Sequence, residues 1–255
     1  PERPYPQAEI DDEEAGEIFD EPPVAEDDSG KVIMKVMHEG KEHKTKVGVS
    51  ELAKALSLIG YKGVIVNPNG DGTYTVTRGV PDELVTDAND VLVEVTLPDN
   101  VIVGQNVFAN SRKLRKVSLG CASIGKAAFM MCTSLERLEI EGTEVIDDLA
   151  FFGCSSLVDL RLPNTLKEIG ASAFDGCGIV NLSIPTGVTS IKSLAFANCK
   201  ALETANVPPD VMQSWPNGLK LFTAAVKNGT LSAETSDSMG IFMHCSSLQK
   251  LNLKA

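Results

Sequence analysis

The chain has 255 residues, of which 43% are apolar and 23% charged, an ordinary composition for a soluble globular protein. Its formal net charge of −12 disfavours binding to nucleic acid, which needs lysine and arginine to neutralise phosphates, and disfavours a basic membrane-surface protein. No stretch approaches the roughly 18 apolar residues of a spanning helix, and because the sequence starts at Pro1 we expect a mature form whose signal peptide has been removed.

The first thirty residues form an acidic arm. Residues 1–30 hold twelve acidic side chains and one arginine, so eleven of the twelve net negative charges lie there, together with five of the thirteen prolines. Like-charge repulsion and few large apolar groups leave too little burial to offset the entropy of ordering, which predicts a disordered arm. Two interpretations stay open: a solvated linker, and a spacer or partner-binding tail.

Residues 31–90 predict a small ββαββ module, which either stands alone or caps the repeats that follow. Its helix is predicted over Ser50–Gly60, with Ser50 as the N-cap and Gly60 as the C-terminal stop. The strands are predicted by short β-prone runs on both sides of the helix, namely Lys31–Met37, Thr45–Val49, Val64–Val66 and Thr73–Thr77.

The turn between the last two strands has the spacing with which a calcium-binding loop begins. Asn67, Asn69 and Asp71 stand at alternate positions, followed by Gly72. The twelfth position of such a loop would be Arg78 rather than glutamate, so a hairpin turn is the better interpretation and no metal site is predicted.

A repeat of about 22 residues begins near residue 91 and determines the architecture. Each copy centres on a phenylalanine, usually preceded by alanine, with a cysteine three residues later in most copies. The following Leu-x-x-Leu-x-Leu pattern alternates in its second half, which predicts one short strand with one buried face. The six phenylalanines are Phe108, Phe129, Phe151, Phe174, Phe196 and Phe242, at spacings of 21, 22, 23, 22 and 46 residues.

Each repeat therefore predicts one turn of a solenoid. Strands of successive turns would stack in parallel about 4.8 Å apart, with the Ala-Phe stretches as short helical turns on the other face and the phenylalanines stacked inside. We thus predict an α/β repeat solenoid over residues 91–255, with an irregular insertion at 209–240, preceded by the small α+β module.

The pattern resembles the BspA-like leucine-rich repeat, whose unit runs Ile-Pro-x-x-Val-x-x-Ile-Gly-x-x-Ala-Phe-x-x-Cys-x-x-Leu-x-x-Leu-x. The copies at 184–202 and 162–177 carry this pattern most completely, and the resemblance covers about residues 92–255. It implies a leucine-rich repeat fold. It also implies a secreted or cell-surface protein of a host-associated bacterium, lipoproteins included. Some members of the family resemble adhesins, so the resemblance implies an adhesion-type role as well.

Six cysteines invite a disulfide interpretation, but their spacing favours free buried thiols. On adjacent turns the Cα atoms would lie about 5 Å apart, within disulfide range, yet in-register side chains suit the disulfide dihedral poorly. One bridge is the alternative, and no metal site is expected without a Cys-x-x-Cys pair. Five share one repeat position, namely Cys132, Cys154, Cys177, Cys199 and Cys245, and Cys121 lies outside it.

The sequence contains no catalytic signature, so we predict no catalytic residues and no cofactor. His38 and His43 flank a hairpin turn and are expected to be solvated, and His244 is expected at the surface. Asp147 and Asp148 are interpreted as a solvated corner rather than a catalytic pair. An enzyme with a site in the 31–90 module is the less favoured alternative.

The solvent side of the predicted strands is the first candidate for binding. Strand alternation demands polar residues there in any case, so a merely solvated face is the competing interpretation. The candidate contacts are Lys116, Arg137, Glu139, Asp159, Arg161, Asn181 and Asn206, within a ladder that also includes Glu94, Thr96, Ser118, Ser183, Thr204, Lys250 and Asn252.

The insertion at 209–240 is the second candidate, because it holds the only tryptophan, Trp215. Trp215 either contacts a partner or packs beneath its loop. From these features we predict an exported, non-catalytic, adhesion-type protein that binds a host or matrix protein, or a glycan. A structural segment of a larger envelope assembly is the alternative, in which the strand at Leu253 leaves an edge that a second copy could pair with to form a homodimer.

Overall fold

The computed structural model describes residues 30–79, 90–208 and 240–253. Its one described α-helix is α1 (Leu52–Leu58). The strands are β1 (Lys31–His38), β2 (Lys41–Gly48), β3 (Val64–Pro68), β4 (Tyr74–Arg78), β5 (Leu92–Leu97), β6 (Val101–Val103), β7 (Lys116–Leu119), β8 (Ser123–Ile124), β9 (Arg137–Glu139), β10 (Val145–Ile146), β11 (Glu168–Ile169), β12 (Asn181–Ser183), β13 (Ser190–Ile191), β14 (Thr204–Val207) and β15 (Lys250–Leu253).

The repeats wind into a solenoid whose first wall carries the predicted strands, so the predicted fold class is confirmed. Five strands pair in the order β2-β1-β5-β7-β9, and three further strands pair in the order β12-β14-β15. All pairs between repeats are parallel, whereas β1 is antiparallel to both β2 and β5. Val117 and Leu119 of β7 illustrate the alternation, since both are buried while their neighbours are not.

The coil between the two sheets departs from the prediction of one strand per repeat. Residues 159–161 make a single bridge, from Asp159 to Asn181, and no regular strand. Leu160 is nevertheless buried, so the inward alternation persists although the ladder of hydrogen bonds is interrupted.

A second wall was not predicted from the sequence. Seven strands pair there in the order β13-β11-β10-β8-β6-β4-β3, and most of them contain only two residues. Each of the two-residue strands β8, β10, β11 and β13 places one isoleucine in the core, as Ile124 of β8 and Ile146 of β10 do. The core is therefore sandwiched between two walls of strands that run along the same solenoid axis.

The expected helical turns around the phenylalanines are single tight turns. The N–H of Ala128 donates to the carbonyl of Gly125 at 3.2 Å, and the N–H of Cys132 donates to that of Phe129 at 3.3 Å. In the repeats from Phe108 to Phe196, two residues of left-handed backbone bracket each such turn, here Ala127 (φ 53°) and Met131 (φ 61°). Because a right-handed helix cannot pass through a left-handed residue, each turn ends after one cycle.

The predicted phenylalanine column is confirmed. Neighbouring rings from Phe108 to Phe196 stack with centroids 5.2–5.3 Å apart, and Phe242 continues the column at 6.0 Å from Phe196. All but Phe242 are fully buried. The repeat after the insertion therefore stacks directly on the repeat before it.

Five of the six cysteines form a second column, whereas Cys121 lies outside it and donates to the carbonyl of Ser123, and all six are free, as predicted. Each thiol of the column donates to the carbonyl of the phenylalanine in the preceding turn, for example Cys154 Sγ to Phe129 O at 3.3 Å. Burial raises the pKa of Cys132 and of Cys154 well above the ordinary thiol value. The same hydrogen bond recurs for Cys132, Cys177, Cys199 and Cys245.

The N-terminal module continues both walls, because β1 pairs with β5 and β4 pairs with β6. Its helix is shorter than predicted. Residues Val49–Glu51 form a 3-10 turn, and Ser50 is therefore not the N-cap. Gly60 ends the helix as predicted, with a φ of 94°, and the N–H of Tyr61 donates to the carbonyl of Leu56 at 2.8 Å.

Tyr61 closes the N-terminal end of the phenylalanine column. Its ring meets Phe108 edge-on at 6.0 Å, its hydroxyl lies 2.6 Å from Ser111 Oγ, and Arg78 stacks over its other face. Ser111 replaces cysteine in the first repeat, so a polar partner for the tyrosine stands where the other repeats have a thiol. Burial raises the pKa of Tyr61.

Candidate interaction surface

The solvent side of the first wall, hereafter the outward face, carries two rows of side chains. Strand pairing defines them, because directly opposed residues in neighbouring strands share one side of a sheet. From β2 to β9 the first row is Lys44, Lys35, Glu94, Lys116 and Arg137, and the second is Lys46, Ile33, Thr96, Ser118 and Glu139. From β12 to β15 the rows are Asn181, Thr204 and Lys250, and Ser183, Asn206 and Asn252.

The part of the outward face on β2, β1, β5, β7 and β9, hereafter the charged half, contains a network of ion pairs. Lys35 Nζ lies 2.8 Å from Glu94 Oε1 and 3.5 Å from Glu42 Oε2, and Glu42 also pairs with Arg115. The hydrogen bond to Glu94 raises the pKa of Lys35. These contacts cross three strands and tie the hairpin β1–β2 to the first repeats.

A second group in the charged half centres on Glu139. Its carboxylate accepts a hydrogen bond from Ser118 Oγ at 2.5 Å and pairs with Lys116 Nζ at 3.1 Å. The hydroxyl of Ser118 and the ammonium of Lys116 lower the pKa of Glu139. Lys116 and Glu139 thus interact across adjacent strands, with Arg137 exposed beside them.

The part of the outward face on β12, β14 and β15, hereafter the amide half, is mostly uncharged. Thr204 Oγ1 donates to Asn181 Oδ1 at 2.6 Å, and Asn252 Nδ2 donates to Asn206 Oδ1 at 2.8 Å. These bonds link side chains of neighbouring repeats along the ladder. The outward face therefore changes from ionic to amide chemistry along the solenoid.

The interrupted coil separates the two halves. Asp159 and Arg161 form an exposed ion pair at 3.2 Å, and Val158 beside them is 49% exposed. Exposed pairs of this kind contribute little to stability. Both charges are consequently available to a partner at little cost in folding energy.

The structure places the seven ladder candidates along one surface, where their role as contacts is still a prediction. Lys116, Arg137 and Glu139 lie together in the charged half, and Asn181 and Asn206 lie in the amide half. Trp215, the arm at 1–29, residues 80–89 of the module and the insertion at 209–239 lie outside the described residues.

Sequence reasoning missed the contribution of the hairpin β1–β2 to this face. Lys35, Glu42, Lys44 and Lys46 extend the charged half by two strands. The signal was present, since alternate residues from 42 to 46 are charged, as on one side of a strand. The sequence does not show, however, that β1 pairs with β5, which lies about sixty residues later in the chain.

The other polar groups of the sequence analysis have structural explanations. His38 and His43 are half-buried rather than fully solvated, with ring centroids 5.9 Å apart, and His244 is exposed. Asp71 accepts hydrogen bonds from the N–H and hydroxyl of Thr73, as in a hairpin turn. Within the described ranges no three His, Cys, Asp or Glu side chains are grouped so that they could hold a metal ion.

The Asp147–Asp148 corner is half-buried and pairs with the next two turns. Asp148 Oδ1 accepts a hydrogen bond from the N–H of Ala171 at 2.7 Å and lies 3.1 Å from Lys192 Nζ. Burial opposes ionisation, but these two donors lower the pKa of Asp148 overall. No helix in the part of the chain that the structure describes is long and apolar enough to cross a bilayer.

The comparisons with known proteins agree with this architecture. Residues 122–214 match the model of the BspA type leucine-rich repeat region in six copies. A leucine-rich repeat protein from Bacteroides ovatus is 25% identical with a TM-score of 0.51, over 74% of this chain and 45% of the other. The T. pallidum leucine-rich repeat protein is 25% identical with a TM-score of 0.54, over 75% and 79%.

The match to the Bacteroides ovatus protein thus spans less than half of that chain. A comparison with proteins of curated function gave no match. The BspA-like resemblance seen in the sequence is confirmed by the repeat model and by the fold of both bacterial proteins.

Proposed function

We propose that this chain, whose residues 122–214 are leucine-rich repeats of the BspA type, is an exported, non-catalytic binding protein that recognises another protein through its outward face. Leucine-rich repeats are scaffolds for protein–protein interaction, and fold alone does not assign a ligand. Surface localisation and an adhesion role, with a host or matrix protein as partner, follow from the family resemblance and belong to the proposal.

The observation that carries the proposal is the extent of the outward face, which runs over the charged half and the amide half. Two rows of side chains, all polar except Ile33, cross eight strands and are held on a core in which the phenylalanines from Phe108 to Phe196 are fully buried. A partner that binds such a surface pays little to order it, because the side chains are already linked by ion pairs and amide hydrogen bonds. The face has no Tyr or Trp among its two rows, so polar contacts would dominate recognition.

A pull-down with immobilised collagen, laminin and fibronectin tests this function on the full chain. We expect at least one matrix protein to retain the chain, and substitution of Arg137 and Arg161 by alanine to weaken retention. Trp215→Ala tests the insertion in the same assay. Retention that none of these substitutions affects would refute the proposed contacts, and capture of none of the three would refute a matrix partner.

A second role, as a structural repeat in a larger assembly, is favoured by the last strand. Among the described residues β15 pairs only with β14, so its other edge is open to a further strand. A homodimer through this edge would double the mass in solution at micromolar concentration. The N–H of Lys250 donates to Glu203 beside β14, so by alternation the N–H of Leu253 faces the open edge, and Leu253→Pro should return the dimer to the monomer by removing it. A monomer at all concentrations would eliminate the dimer.

A further inference from the structure

The charged half brings like charges directly opposite each other. In the first row Lys44 is paired with Lys35, and Lys116 is paired with Arg137. Like charges at directly opposed positions of a sheet are destabilising. Two such pairs within five strands indicate a surface suited to an approaching anion.

The carboxylates of the fold compensate this charge only in part. Glu94 pairs with Lys35, Glu42 is shared between Lys35 and Arg115, and Glu139 pairs with Lys116. Lys44 and Arg137 form no ion pair with any described carboxylate, and both are exposed. The first row therefore has four cations and one carboxylate, with a cation at each end.

The chain itself contains a segment of matching charge. Residues 1–29 carry twelve carboxylates and one arginine, and they join β1 directly through Gly30. Five strands span about 19 Å, which about six extended residues cover, so the arm is several times longer than needed. A covalently attached segment is also present at an effective concentration of the order of millimolar.

We propose that the acidic arm, residues 1–29, docks across the first row of the charged half, past Lys35 and Lys116, and neutralises the uncompensated cations Lys44 and Arg137 at its two ends. The arm is then an intramolecular competitor that an external partner must displace. This consequence rests on the proposed function, because it concerns the same face. The docking itself depends only on the two charge patterns.

Zero-length crosslinking of the full chain with a carbodiimide tests the docking, since it joins a carboxylate to a lysine only when they are in contact. We expect arm carboxylates to crosslink to Lys35, Lys44 and Lys116 at least about fivefold more often than to Lys126 and Lys200, which lie off the outward face. About 1 M salt should abolish the preference. Crosslinks spread evenly over all five lysines would overturn the proposal.

Charge-reversal variants sharpen the test. The double variant Lys44→Glu/Arg137→Glu should reduce arm crosslinks to Lys35 and Lys116 at least about fivefold, whereas Lys126→Glu/Lys200→Glu should leave them unchanged. Cooperative urea unfolding of each variant establishes that it is folded. Equal crosslinking in the two double variants would contradict docking on this face.

Mixing isotope-labelled and unlabelled chains separates docking within one molecule from docking between copies. We expect crosslinked peptides with both partners of the same label, and a majority of mixed-label pairs would overturn the intramolecular inference. No external partner is present in this experiment. A negative crosslinking result would therefore refute arm docking without affecting the matrix-binding proposal. A negative pull-down would likewise refute matrix binding without affecting the crosslinking result.

Discussion

Removing one ring from the phenylalanine column should cost far more stability than removing the adjacent phenylalanine. Phe151 is fully buried, and its ring stacks on Phe129 and Phe174, both at 5.3 Å. Phe152 follows it in sequence but is only half-buried and outside the column. The two positions form a matched pair, because the same substitution removes the same atoms.

The magnitude follows from burial and stacking. A fully buried phenylalanine replaced by alanine costs about 3–5 kcal/mol, and each lost aromatic pair adds about 0.5–1.5 kcal/mol beyond its buried area. With two pairs lost, we expect Phe151→Ala to lower the free energy of unfolding by about 5 kcal/mol. Phe152→Ala should cost less than about half of that, because part of its surface is already solvated.

Urea unfolding followed by circular dichroism measures both variants, and linear extrapolation gives the free energy of unfolding in water. If Phe151→Ala prevents folding altogether, Phe151→Leu keeps most of the volume and should still lose the stacking contribution. Equal losses for Phe151→Ala and Phe152→Ala would refute the assignment of the column as the main source of stability.

Three further predictions concern single positions. Gly125→Ala should destabilise the solenoid by at least about 2 kcal/mol, because its Cβ would lie 2.7 Å from the backbone of Gly104, whereas Gly79→Ala, with nothing nearer than 3.6 Å, should have a small effect in the same urea assay. Because burial raises the pKa of Tyr61 in the folded state, its contribution to stability is present below the unfolded-state pKa of about 10 and is lost as the pH rises above it. Tyr61→Phe should therefore reduce the loss of unfolding free energy between pH 9 and pH 11, measured by urea unfolding at both values. The same loss in the variant and the unchanged chain would contradict this prediction. Cys245 should be the first cysteine alkylated in the native protein, since it is half-buried whereas the other five cysteines are buried, and labelling of the buried cysteines at the same rate, read by mass spectrometry, would contradict this.

The columns could be predicted because they repeat at a fixed period. A phenylalanine every 21 to 23 residues, with a cysteine three positions later, can occupy one place on each turn only if the turns are equivalent. The buried stack from Phe108 to Phe196 and the thiol ladder follow from this equivalence. Neither required knowledge of long-range contacts.

The second wall could not be predicted by periodicity. Strands such as Ser123–Ile124 and Val145–Ile146 contain two residues, too few to show an alternation. They exist because each coil stacks on the next, so their hydrogen bonds depend on partners about 22 residues away. The helical turns expected there end early because left-handed residues such as Ala127 bracket them, and nothing in alanine itself signals that conformation.

The outward face was predicted for the repeats and missed for the module. Lys116, Arg137 and Glu139 follow directly from alternation within their strands. The contribution of Lys35 and Lys44 depends on the antiparallel pairing of β1 with β5, which brings together residues far apart in sequence. The interruption at 159–161 has no signal in the sequence that we can identify.

The central claim is that the outward face is the recognition surface, and surface plasmon resonance tests it most directly. The full chain is passed over the matrix protein retained in the pull-down, beside Arg137→Glu/Arg161→Glu and the off-face control Lys126→Glu/Lys200→Glu. We predict that the first variant weakens binding at least about tenfold and that the control matches the unchanged chain. Equal affinities for all three chains would contradict recognition through this face.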